Sequence, residues 1–215
     1  MDELELVVFD MAGTTVEDRG EVPAAFVAAL AGQGIEVTSE QIKSVRGSSK
    51  RQALRQFIPA GPAQAQLADE AYAAFQAHLA HRYTTEGVRA IAGAPDVFRA
   101  LRERGVRVAL NTGFDREITE LLLGALGWNN GLVDAVVCGD EVTQGRPAPY
   151  LIFRAMERTG ASDVHKVAKW AIRRWTCWRA ITRVWAGMLG FSPARTTGRC
   201  WKGCHTRICC LPWRS

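Results

Sequence analysis

No apolar run in this chain is long enough to cross a bilayer. The N-terminus, Met1-Asp2-Glu3-Leu4-Glu5, is acidic and runs straight into a strand-like segment. A secretory leader would start basic, so the expectation is a cytoplasmic protein with no membrane partner. A disulfide scaffold is not expected of a cytoplasmic chain. The most telling scarcity is of acid. Residues 170–215 hold no Asp or Glu but nine Lys or Arg, whereas residues 1–169 hold all 22 acidic residues against 18 basic ones. The first part therefore carries −4 and the tail +9, and the tail also has six of the seven Trp and five of the six Cys. The sequence pI near 9.1 belongs to the tail and does not make the domain a nucleic-acid binder.

What is present suits one α/β domain with a small insert. The 215 residues are 47% hydrophobic and 23% charged, enough to bury a core and not a disordered composition. Leu4–Phe9 is a β-rich apolar run that ends at Asp10 and a Gly-containing turn, Met11-Ala12-Gly13-Thr14-Thr15. In an open parallel sheet this puts the Asp10 carboxylate at the C-terminal edge, where ligands bind. The local pattern equally allows Asp10 to cap the next segment. Residues 22–82 read as helical throughout, with starts near Val22, Ser39, Lys50 and Pro62 and no convincing strand. They form an inserted helical unit with linkers near Val16–Glu21 and Thr84–Gly93. Alternation then resumes: helix 94–104, strand 106–110, helix 116–126, strand 133–138, helix 149–159 and a strand over 164–169. Four strands with helices between them predict a parallel sheet.

Three positions carry polar groups suited to one task. Asp10 is a candidate nucleophile, Thr112 offers a hydroxyl and a backbone N–H, and Arg146 offers a cation. Phosphoryl transfer to a carboxylate needs an attacking oxygen, and donors and positive charge for the equatorial oxygens. Singly, Thr112 is as well read as a helix N-cap and Arg146 as a solvated loop charge; together and in this order they point to the chemistry.

These segments resemble the haloacid dehalogenase superfamily over residues 1–169. Phe9-Asp10-Met11-Ala12-Gly13-Thr14-Thr15 is similar to its first motif, Leu110-Asn111-Thr112-Gly113 to its second and Gly145-Arg146-Pro147 to its third. The resemblance implies a Rossmann-like parallel sheet formed by residues 1–18 and 84–169, with a helical cap over 19–83. Within the superfamily the chain looks like the phosphonatase branch. The general-acid Asp usual two residues after the nucleophile is replaced by Ala12, Arg146 is followed by Pro, and Gly47-Ser48-Ser49-Lys50 is similar to the segment holding that branch's Schiff-base lysine. A departure is Ala53, where the close phosphonatases have His. The resemblance implies Asp10 as nucleophile, Lys50 as catalytic lysine, Thr112, Gly113 and Arg146 on the phosphoryl oxygens, and Mg²⁺ on Asp10 and the Ala12 carbonyl. It further implies a small organophosphorus substrate, no nucleic acid, and a homodimer through the cap. Cleaving a C–P bond β to a carbonyl expels a carbanion, which an imine converts to an enamine, so an acid at Ala12 is unnecessary. The alternatives are a phosphatase for small phosphate esters and, outside enzymes, an inactive remnant or a basic-tail nucleic-acid binder.

The superfamily's fourth motif, Gly-Asp-x-x-x-Asp after an apolar strand, is missing, along with the strand or strands that follow it. Trp170 to Trp178 follows the last strand with no carboxylate. Read one nucleotide out of frame, the codons for Trp170–Ala171 force glycine, those for Trp175–Thr176 aspartate and those for Cys177–Trp178 leucine, and the remaining codons allow the string Gly-Asp-Thr-Pro-x-Asp-Leu-Leu-Ala-Gly. We read residues 170–215 as a frameshift product, poorly packed and without the acids the metal needs. Zinc at Cys200, Cys204, His205, Cys209 and Cys210 does not match a standard finger spacing. RNA stacking on the Trp residues is the weaker reading, because GC-rich DNA read out of frame readily gives Arg, Trp and Cys.

Overall fold

The computed structural model describes residues 4–45 and 49–171. Its centre is a four-stranded parallel sheet in the order β3-β2-β1-β4. The strands are β1 (Leu6–Asp10), β2 (Arg107–Asn111), β3 (Ala135–Val137) and β4 (Val167–Trp170). β1 is buried at every residue, as a central strand covered on both faces must be. Its alternation sorts the core into two layers. Val7 and Phe9, with Val108 and Leu110, join one cluster, while Leu6 and Val8, with Ala109 and Val137, join the other. The second layer is closed by Leu151 and Ala155 of α7 (Tyr150–Thr159). In the first, Phe98 of α5 (Ala94–Arg102) meets Phe9 edge-on at 5.1 Å.

Four helices lie between β1 and α5: α1 (Glu21–Ala31), α2 (Ser39–Ser44), α3 (Lys50–Phe57) and α4 (Gln64–Glu86). Their starts match the sequence reading to within two residues. α2 begins with a capping box, in which Thr38 accepts from the Gln41 N–H and the Gln41 side chain accepts from the Thr38 N–H. α1 and α4 pack through Phe26 and Phe75, whose rings lie 4.9 Å apart. The two linkers to these helices run side by side, with Glu17 N–H donating to the Arg89 carbonyl and Ile91 N–H to the Thr15 carbonyl, each at 2.9 Å. α6 (Arg116–Leu126) completes the alternation.

The last strand is corrected by the structure. Residues 164–166 form a 3₁₀ turn in which Asp163 accepts from the His165 N–H at 2.8 Å, and the strand begins only at Val167. The local Asp163 cap competes successfully with sheet pairing at this end. The strand also runs one residue further than expected, with Trp170 opposite Phe9. The out-of-frame reading, the missing fourth motif and later strands, and the Cys and His cluster at 200–210 fall outside the described residues, apart from Trp170 and Ala171. No helix among the described residues is long and apolar enough to cross a membrane.

Candidate functional site

Asp10 is the last residue of β1, opposite Asn111 at the end of β2. Beyond it the chain folds back tightly: the N–H groups of Thr14, Thr15 and Val16 all donate to the Met11 carbonyl at 2.9–3.0 Å. The turn needs Gly13, whose φ of 75° lies in the left-handed region. Thr15 Oγ1 donates to the Asp10 carbonyl at 3.0 Å and closes the turn from inside.

The structure brings the distant motif residues to this edge. Arg146, in the loop before α7, donates from Nη1 to Asp10 Oδ1 at 3.0 Å, with side chains only 10% and 8% exposed. Thr112 and Gly113 follow β2 directly, and Lys50 is the first residue of α3. Asp10, Thr112, Arg146 and Lys50 line one cavity of about 30 Å³ together with apolar residues such as Phe26 and Ile42. Ala12 also lines it. Lys50 Nζ stands 5.5 Å from the centre of the Phe114 ring. Backbone close approaches make this possible. A Cβ on Gly139 would sit 2.9 Å from the Gly113 carbonyl oxygen, and one on Gly145 would sit 3.0 Å from Ser49 Cβ.

One expected donor is already engaged. The Thr112 N–H donates to the Val137 carbonyl at 3.0 Å, so β3 uses it, and Thr112 keeps its hydroxyl for a ligand. That hydroxyl oxygen accepts from the Phe114 N–H at 3.1 Å, which leaves its own hydrogen available. Thr112 is not the cap of α6; Asp115 is, accepting from the Ile118 N–H at 2.9 Å.

Three residues escaped the sequence reading. Lys169 on β4 donates from Nζ to Asn111 Oδ1 at 2.5 Å, reaching across β1. Nothing in its strand pattern marks it, because register alone puts it beside Asp10. Asn111 was seen only as part of a motif, yet it is 1% exposed and its Nδ2 has no partner. Asp18, in the first linker, places a second carboxylate on the cavity wall.

Electrostatics follow from this crowding. Burial alone would raise the Asp10 pKa, but the nearby charges of Arg146, Lys169 and Lys50 and the Arg146 hydrogen bond outweigh it, so the pKa lies below the usual carboxylate value. Burial pushes Lys169 down to about 7, with Arg146 adding to the fall and Asp10 opposing it.

Mg²⁺ takes six hard oxygens in near-octahedral geometry, with carboxylates anchoring it. At this edge the chain offers the Asp10 carboxylate, already paired with Arg146, the Asp18 carboxylate, whose Oδ1 accepts from the Gly20 N–H at 3.2 Å, and the Ala12 carbonyl. Asp140 is turned away, with its Oδ2 accepting from the Arg116 N–H at 3.2 Å. No group of three or more His, Cys, Asp or Glu gathers into a metal site among the described residues, and no acid follows Lys169. This donor set does not fit Mg²⁺.

The chain is similar to known proteins along most of its length. It is 27% identical over 181 residues to a phosphonoacetaldehyde hydrolase of Bacteroides fragilis, covering 79% of this chain and 69% of that one. A solved phosphonoacetaldehyde hydrolase-like protein from Oleispira antarctica shares the fold with a TM-score of 0.68 at 21% identity, over 77% of this chain and 64% of its own length. CbbY from Rhodobacter sphaeroides, solved in complex with phosphate, does so with a TM-score of 0.65 at 20% identity, over 77% and 76%. The profile of the haloacid dehalogenase-like hydrolases matches residues 4–168, and the chain belongs to that family.

Proposed function

We propose that this site cleaves a P–C or P–O bond in a small organophosphorus metabolite through an aspartyl-phosphate on Asp10. The observation that carries the reading is the ion pair between Asp10 and Arg146, 3.0 Å long and joining residues 136 positions apart in the lining of one cavity. An Asp10 oxygen attacks phosphorus, a P–O bond to Asp10 forms, and the bond to the leaving group breaks with its electron pair. Water then hydrolyses the acyl phosphate and releases inorganic phosphate. Arg146 and the Thr112 hydroxyl hold the equatorial oxygens, where charge builds in the transition state.

The phosphonate reading is favoured by Ala12 and Lys50 together. Ala12 puts no acid beside Asp10, and Lys50 lines the same cavity. The neutral Lys50 amine condenses with a substrate carbonyl and loses water, and the resulting imine accepts the electron pair of the broken C–P bond as an enamine. The similarity to phosphonoacetaldehyde hydrolases supports this choice of substrate class. A second reading, cleavage of small phosphate esters, is favoured by Asp18, a cavity carboxyl group whose protonated form would give its proton to a leaving alkoxide.

The test is borohydride reduction in the presence of phosphonoacetaldehyde, followed by peptide mass mapping. The phosphonate reading expects a reduced adduct on Lys50. Phosphate release from small esters with no adduct, and its loss in Asp18→Asn, selects the second reading. We propose further that turnover in this chain is impaired, because its oxygen donors do not fit the family's metal.

A further inference from the structure

We infer that Lys169 and Asn111 form an additional wall of the Asp10 site, through which this chain holds a phosphoryl dianion without a divalent cation. The inference rests on the reading that the Asp10 edge receives a phosphoryl group, and it adds residues and a charge balance that this reading does not contain.

Strand register places the pair. In β4, Lys169 lies opposite Val8, and in β2, Asn111 lies opposite Asp10. Paired residues of parallel strands share a face, and Val8 and Asp10 share one by the two-residue period. The 2.5 Å bond from Lys169 Nζ to Asn111 Oδ1 therefore spans β1 on the face that carries the Asp10 carboxylate. An ammonium only donates, so the bond also decides which end of the Asn111 amide is which. The oxygen is held to Lys169 and the NH₂ is left over. That NH₂ is buried and has no partner. Arg146 repeats the situation: Nη1 is on Asp10, while the buried Nε has no partner. Two buried donors lacking acceptors at one strand end are what an oxyanion would satisfy.

The charges agree with the donors. Arg146, Lys169 and Lys50 all act on Asp10, three cations around one carboxylate. This excess of basic side chains around Asp10 suits an anionic phosphoryl group, and an anion beside Lys169 favours its ammonium form. In a site of low dielectric such a match decides which ligand is held. The oxygen donors of this edge do not fit Mg²⁺, so compensation of the ligand falls to these side chains.

The experiment is titration of the full chain with inorganic phosphate, followed by calorimetry, once with excess EDTA and once with Mg²⁺. The expected result is the same affinity in both within about twofold, a loss of about tenfold or more in Lys169→Gln, and retention in Lys169→Arg. Lys166→Gln, which removes a surface partner of Glu5, should change nothing. Should Lys169→Gln fail to fold, as judged by circular dichroism, Asn111→Ser takes its place with the same expected loss. Binding only with Mg²⁺ overturns the inference and leaves the proposed function standing. Metal-free binding that survives Lys169→Gln and Asn111→Ser overturns the role of these residues. Binding that survives Arg146→Ala lies elsewhere, on the tail's cations, and also overturns it. No binding under either condition removes the proposed function as well.

Discussion

Asp10 is held ionised by its neighbours, and they are held in place by it. Replacing it by Asn leaves the Arg146 guanidinium without its carboxylate in a site where the pair is about nine-tenths buried. Breaking a buried ion pair from one side costs about 3 kcal/mol or more, because the remaining charge stays buried. Urea denaturation of Asp10→Asn should show a loss of that size, together with no acyl-phosphate on the chain. An unchanged midpoint would mean that Arg146 swings out to water. Cys138 offers a separate check at the same scale. It is fully buried, and burial pushes its pKa up to about 11 despite the Thr119 hydrogen bond and the Arg116 charge that favour the thiolate. Only the thiolate reacts, so iodoacetamide at pH 8 should leave Cys138 unmodified in the native chain, with labelling appearing as the pH approaches 11 or on unfolding. Rapid labelling of the Cys138 peptide at pH 8 would refute that burial.

At the scale of elements, the inserted helices are tied to the sheet next to the second motif. Asp115 caps α6 and also accepts from the Tyr72 hydroxyl and, at 2.6 Å, from Gln76 Nε2, both on α4. One carboxylate thus joins α4 to the loop that follows Thr112. Asp115→Ala removes the cap, worth about 1 kcal/mol, and strands two donors at about 1 kcal/mol or more each. Tyr72→Phe removes one bond and leaves the cap, for about 1 kcal/mol. Equilibrium unfolding should rank the two variants in that order, and equal losses would show that the α4 contact carries no energy. Gly145 probes the other contact of the insert. An added Cβ would stand 3.0 Å from Ser49 Cβ and 3.2 Å from the Ser49 nitrogen, tight enough that Ser49 must give way by a few tenths of an ångström. Gly145→Ala should displace the start of α3, and with it Lys50, and so reduce borohydride trapping while the melting temperature barely moves. Full trapping in that variant would place Lys50 independently of the Gly145 loop.

For the whole molecule, the decisive feature is the change of composition after Lys169. On the proposed frameshift, a chain whose reading frame is restored there would regain acids just after the strand that pairs with β1. A metal held by them would neutralise the repulsion between a dianionic substrate and the Asp10 carboxylate, which a closed site screens poorly. It would also carry transition-state charge, so the restored chain should turn over about a thousandfold faster with Mg²⁺ than the chain as it stands. Equal Mg²⁺-dependent rates in the two would refute both the impairment and the functional meaning of the frame. The genomic sequence around codon 169 tests the frame itself.

The sequence alone determined the sheet, its helices and the identity of three motif residues, because these rest on local patterns. The first apolar strand ends in Asp10 and a turn carrying Gly13, and the helix starts near Val22, Ser39, Lys50 and Pro62 follow from apolar spacing. What lay beyond local pattern was decided by tertiary structure. The strand order β3-β2-β1-β4 brought Lys169 and Asn111 to opposite sides of β1, and no spacing along the chain encodes that meeting. Sheet pairing took the Thr112 N–H, and a three-residue turn capped by Asp163 delayed β4. Each is a competition for one hydrogen-bonding group between partners distant in sequence, and it is settled only when both partners are in place.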